Sequence, residues 1–408
     1  MSSSVHHYVT RWYQKRFLPP GQSKLCYLIL KPEVVEKNGH RFIRRAVRYW
    51  EPTRCFYERD LYSLRFGKQT SDVIETYLFG RIDKEGAKAV DIFGEYSGYS
   101  DDVYHAFRPM MQFLGAQRFR TPHGLDWIKG CVGSADHNKT LMYMSNLFEA
   151  YATMWAEGIW EIVFARKCSV KFIISDDPVT FFNRRIFPGE EAYPGGDDFP
   201  KIGTRTIFPL SAEACLIITH LQFVRDPWHK PLDVRVNART FANTMFDLTS
   251  IQYGRELEEG KVLKINHIIK KRATRFIAAA AEETLYPEKA FANPDWSKLD
   301  DDWFLFPNLW KVTFRGGIRA GWGDGSVFVI DEYGRNPGSP RFEDKKQQNL
   351  EFRKFENAKR EWAKRRAGKA VARVIDFRNN DFYDRYMQEY MEEQGLGPRK
   401  ESSAEDSA

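Results

Sequence analysis

The stretch Lys171-Phe172-Ile173-Ile174-Ser175-Asp176-Asp177-Pro178-Val179 runs an apolar, β-branched segment into a hydroxyl, two carboxylates and a proline. This pattern predicts a buried strand that delivers polar side chains to one edge of a sheet. Further strands are predicted at Leu25–Leu30, Thr204–Phe208 and Cys215–His220. Upstream, Leu141, Met144, Phe148, Ala152, Trp155, Ile159 and Ile162 recur at spacings of three and four, which predicts one long helix from Lys139 to Arg166. Helical patterns also cover Ser71–Phe79, Lys84–Phe93, Val103–Arg118, Val236–Gly254 and Leu263–Glu283. The expected fold is α+β, a mixed and mainly antiparallel sheet packed against several helices. A β-hairpin within Trp303–Ile330, with Trp310–Arg315 alternating like a strand, and charged helices at Phe342–Gly368 and Phe377–Glu393 extend it.

A chain of 408 residues, 42% hydrophobic and 15% aromatic, has ample material for an ordered core. The expected organisation is a core domain over residues 1–285, a linker or surface loop at Pro287–Asp302, an extension over 303–395 and a disordered tail at 396–408. The segment Pro188–Pro200, rich in glycine, proline and acids, reads as a flexible loop near the strand edge. No apolar run approaches the roughly 20 residues that span a bilayer. Met1–Val5 lacks the features of a secretory leader, so a cytoplasmic protein without a membrane partner is expected. Its five cysteines are scattered with no CxxC pair, which points to reduced thiols rather than zinc or disulfides.

The net charge of +7 is uneven. Val34–Trp50 is strongly basic, and Lys354, Lys359, Arg360, Lys364, Arg365, Arg366 and Lys369 crowd the segment from Arg353 to Arg373. The second cluster has two readings: a solvated helix face, or a contact with nucleic acid or another anionic partner through Arg365 and Arg366.

Three short motifs occur in order: His6-His7-Tyr8-Val9-Thr10 followed by Trp12, Tyr13 and Phe17, then Arg120-Thr121-Pro122, then Ser175-Asp176-Asp177-Pro178-Val179. With Phe208-Pro209-Leu210-Ser211 and Val236-Asn237 downstream, the chain resembles the bacterial domain-of-unknown-function family 4238 from about His6 to Arg255. Thr10 stands where that family usually has proline, and Asp177 where it often has asparagine. The resemblance implies a fold and no established activity.

Chemically, His7, Arg120, Asp176 and Asp177 are the candidate catalytic set. Histidine and aspartate could hold a divalent metal that activates water against a phosphoester, with Arg120 neutralising the developing charge. No HxH or HExxH spacing supports the metal, and a metal-free version makes His7 the general base oriented by an aspartate. A third reading assigns the same residues to structure: Ser175 and Asp176 stabilise a turn, Arg120 pairs with one of the two aspartates, and His7 is a hydrogen-bonded core histidine. The activity expected from the first two readings is phosphoester hydrolysis, with nucleic acid a candidate substrate. The third leaves a non-enzymatic interaction protein.

Overall fold

Gly158 divides what the apolar pattern presents as one long helix. A computed structural model describes residues 4–37, 40–133, 136–190, 198–235, 248–291, 295–312, 314, 318–321, 323, 325–333 and 335–367. In it the helix covers His137–Ala156, and Gly158–Phe164 is a strand, which corrects the expected helix to Arg166. Asp136 starts the helix by accepting from the Lys139 N–H at 2.9 Å. The strand is buried on both faces, so its apolar residues follow no alternation and mimic a helical stripe. A Cβ on Gly158 would lie 2.5 Å from Ile218 Cγ2, so only glycine lets the two strands meet there.

The elements follow in order. Strand β1 (Val5–His7) and helix α1 (Arg11–Lys15) precede β2 (Leu25–Ile29), β3 (Val34–Lys37), β4 (His40–Ile43), β5 (Val47–Trp50), β6 (Tyr57–Arg59), β7 (Leu64–Phe66) and β8 (Gln69–Ser71). A π-helical turn at Ile74–Phe79 opens a helical block of α2 (Gly80–Gly94), α3 (Asp101–Phe119), α4 (Pro122–Val132) and α5 (His137–Ala156). Then come β9 (Gly158–Phe164), β10 (Ile174–Ser175), β11 (Thr180–Phe182), β12 (Arg205–Pro209), β13 (Ala214–His220) and α6 (Leu221–Arg225). The chain continues with β14 (Gln252–Glu256), α7 (Glu259–Arg272), β15 (Phe276–Ala279), β16 (Ile318–Gly321), β17 (Val327–Ile330), α8 (Pro340–Glu343) and α9 (Lys345–Ala367).

Two main sheets result. One is antiparallel throughout, in the order β10-β15-β2-β5. The other, β11-β12-β13-β9-β14, is antiparallel except where β14 joins β9 in parallel. The fold is therefore α+β with mixed, mainly antiparallel sheets, and β16 and β17 form the expected hairpin. Among the described residues no helix is long and apolar enough to cross a membrane. The five cysteines are all free thiols.

Several boundaries differ from the sequence expectation for physical reasons. The helix expected over Leu263–Glu283 ends at Arg272, because Phe276–Ala279 pairs with β2 and tertiary pairing overrides alanine's helix propensity. In Val170–Ile174 only Ile174 joins a strand. Lys171–Ile173 instead faces α7, where Asn266 Oδ1 accepts from the Ile173 N–H at 3.2 Å and its Nδ2 donates to the Lys171 carbonyl at 2.8 Å. Gln252–Glu256 is a strand, while residues 236–247 of the expected helix lie outside the described residues. So do residues 191–197 of the expected loop, the helix at Phe377–Glu393 and the tail at 396–408. Trp310 and Lys311, expected in a strand, belong to a 3-10 turn, Leu309–Lys311.

The chain forms two units, Met1–Ala358 and Lys359–Ala408. In the first, residues 295–302 contribute to the packed interior. Trp296, Leu299, Phe304 and Leu305 belong to the core, and the Trp296 Nε1 donates to the Asn183 carbonyl at 2.9 Å. Substituting Gly158→Val should destabilise the protein by about 1–3 kcal/mol through overpacking against Ile218, read as a lower urea midpoint.

Candidate functional site

The strand-ending tetrapeptide is a turn whose side-chain oxygens are all committed. The Ser175 hydroxyl donates to the Asp177 carbonyl at 2.8 Å and accepts from the Asp177 N–H at 3.2 Å. Asp176 turns toward the start of β15, where its carboxylate accepts from the N–H groups of Thr274, Arg275 and Phe276 at 2.9, 2.6 and 3.2 Å. Burial pushes its pKa up to about 6, while the Thr274 and Arg275 N–H donors hold it down. Asp177 pairs with Arg118, whose Nη1 lies 3.0 Å from its Oδ2 and whose guanidinium stacks on Phe181. Both partners are buried.

Arg120-Thr121-Pro122 is the joint between two helices. Arg120 is the C-cap of α3; Thr121 is the N-cap of α4, accepting from the Gly124 N–H at 3.0 Å; and Pro122 opens the new helix. The expected pairing of Arg120 with an aspartate of the strand edge is not what forms. Its Nη1 instead donates to both oxygens of Asp83 at 2.9 and 3.1 Å, and the guanidinium packs over Phe79 and Phe113. With its amide turned oxygen-inward, Gln117 accepts from the same guanidinium.

His6 and His7 point to opposite sides of β1, as strand neighbours must. His6 is buried, stacked on Tyr62, and its Nδ1 accepts from the Tyr62 N–H at 3.0 Å. His7 is half-buried, with Nε2 3.3 Å from the Thr53 carbonyl, so this nitrogen carries the proton and Nδ1 keeps its lone pair. Burial lowers the His7 pKa, the Thr53 bond raises it and Arg11 lowers it further.

His7 opens onto a cleft of about 910 Å³, lined also by Arg11, Lys15, Glu51, Glu75 and Asp83. Burial pushes the Glu75 carboxyl up to about 7, opposed by Arg120 and assisted by Asp83 and Asp72. Asp83 is likewise raised by burial and opposed by Arg120. The π-helical turn matters to this placement. Eight residues of α-helix would leave Glu75 about 80° out of phase with Asp83, and the wider i→i+5 turn between them reduces that offset.

Of the four expected catalytic residues, then, His7 lines the cleft and Arg120 holds one of its carboxylates from behind. Asp176 and Asp177 make no hydrogen bond or ion pair with either among the described residues. Among those residues no group of three His, Cys, Asp or Glu side chains could hold a metal ion, so no step through a metal follows. Glu75 and Asp83 went unnoticed in the sequence because they sit in ordinary helical contexts with no motif. Arg365 pairs with Glu361 one turn back at 3.0 Å, and Arg366 packs over Trp362.

No family model matches the chain, and neither a curated protein nor a solved structure does. The resemblance to family 4238 stands on its motifs alone.

Replacing Asp176 by alanine should strand three N–H groups and cost about 3 kcal/mol in urea unfolding, with Asp176→Asn milder because its carbonyl still accepts. Glu75 has a folded pKa above its unfolded value of 4.5, so its stabilising contribution is complete below that pH and lost as pH rises through about 7. Relative to Glu75→Gln, the wild-type urea midpoint should therefore fall between pH 5 and pH 8.

Proposed function

We propose that the protein is a hydrolase of phosphoesters, nucleic acid among the substrates to test, working by general acid–base chemistry in the cleft of His7 and Glu75. The observation that carries this reading is that an imidazole with a free Nδ1 and a carboxyl titrating near pH 7 share one open cleft with the basic rim of Arg11 and Lys15. Such a pair suits catalysis at neutral pH, because each group exists in its useful protonation state there. His7 Nδ1 takes the proton of a water as its oxygen bonds to phosphorus. The bond from phosphorus to the leaving oxygen breaks, and protonated Glu75 gives that oxygen its proton. Arg11 and Lys15 balance the phosphate charge. Arg120 is a positioning residue that fixes Asp83, while Asp176 and Asp177 serve the fold. Five free thiols are in keeping with a reducing, cytoplasmic setting.

A second reading, a non-enzymatic interaction protein, is favoured by one observation: Arg118, Arg120, Asp176 and Asp177 all have internal partners. In that case the basic C-terminal helix would meet an anionic partner through Arg365 and Arg366.

The test is turnover of an aryl phosphomonoester, an aryl phosphodiester, single-stranded RNA and duplex DNA. His7→Ala and Glu75→Gln should each lower the rate about 100-fold with unfolding midpoints retained. No turnover by the wild type, or equal turnover in all three proteins, rejects the hydrolase.

A further inference from the structure

Residues 31–48 carry six of the chain's cations, Lys31, Lys37, Arg41, Arg44, Arg45 and Arg48, against two carboxylates, Glu33 and Glu36. That is a net +4 within a chain whose total is +7. The fold places Lys37 and Arg41 on one feature, with Arg44 and Arg45 at its base and Arg48 on the adjoining strand β5. Strands β2 and β5 pair inside the four-stranded sheet, and the chain between them continues as a second antiparallel pair, β3 with β4, that belongs to neither main sheet. The Arg44 N–H bonds the Glu33 carbonyl at 2.9 Å at its base. The result is a two-stranded ribbon rooted in the sheet and extending beyond it.

The ribbon lacks a core of its own. Every residue of β4 is exposed, and Val34 and Ile43, directly opposed across the ribbon, are 63% and 68% exposed. Phe42 is 45% exposed. An isolated two-stranded ribbon is marginal in water, and apolar side chains on one are a surface for something else. Its charge says what. Among the described residues Arg41 pairs with Glu36, at 3.7 Å, and Arg44 with Glu33, at 3.1 Å. Arg45, exposed beside them, makes no ion pair with a described residue and lies over the Tyr49 ring.

We infer that this basic ribbon is a duplex DNA-binding arm that enters the major groove. The B-form groove admits a two-stranded ribbon. Arg41, Arg44 and Arg45 meet phosphates through planar forks, and Ile43 and Val34 meet thymine methyl groups. A-form RNA has a major groove too narrow for this fit. The inference stands on the ribbon alone and does not need the cleft to be catalytic.

The test is a fluorescence-anisotropy titration of the full chain with a labelled 20-base-pair DNA duplex over a range of salt concentrations. The wild type should bind, and the triple variant Arg41→Ala, Arg44→Ala, Arg45→Ala should weaken binding at least tenfold. Its slope of log affinity against log salt should fall by about 2 to 3. Arg45→Glu, which breaks no ion pair, should act in the same direction with an unchanged unfolding midpoint. Lys84→Ala with Lys88→Ala, both exposed on helix α2, should stay within about twofold of wild type. Four results overturn the inference: no wild-type binding, ribbon variants that bind like wild type, equal loss in ribbon and helix variants, or duplex RNA bound as tightly as DNA. So does a ribbon variant whose only change, in sedimentation, is loss of self-association.

Discussion

The carboxylate of Asp176 gathers three consecutive N–H groups where α7 gives way to β15. Those donors lie where the helix has ended and the strand ladder has barely begun, so the carboxylate stands in for the missing backbone acceptors. The Asp176 N–H returns the tie by bonding the Phe276 carbonyl at 3.0 Å. The edge of one sheet, the end of one helix and the start of a second strand thus meet on one residue. Its pKa of about 6 records the strain between burial, which disfavours charge, and donors that need it.

Arginines do the same work elsewhere in the interior. Arg118 with Asp177, Arg120 with Asp83, Arg205 with Asp300 and Arg255 with Glu161 are pairs largely withdrawn from water. Each guanidinium of the first three also lies against aromatic rings. Such pairs add little net stability over apolar packing, but losing one partner is costly, so they define which arrangement forms. Asp83 lines the cleft, and there Arg120's charge reaches Glu75 only partly, leaving that carboxyl titrating near neutrality.

Much of this was legible in the sequence, and the failures have a common cause. Leu25–Leu30 and Cys215–His220 were readable because apolar, β-branched runs act locally. Ile159–Val163 and Phe276–Ala279 were misread as helix because their state is set by strands distant in sequence, β13 and β2. The pairing of the motif residues was not readable: nothing in the order of residues says that Arg120 would choose Asp83 over Asp177. The carboxylates of the cleft lie eight residues apart, and their approach depends on a π-helical turn that no residue pattern announces.

The side chain of Asn266 bears on how this protein avoids sticking to itself. Its amide bonds the Ile173 N–H and the Lys171 carbonyl, the two groups that a single residue of a parallel neighbour would engage across Phe172. One side chain therefore impersonates a strand. A length of extended backbone that would otherwise template another chain is sealed from within a helix, and the seal adds no further edge that itself needs covering.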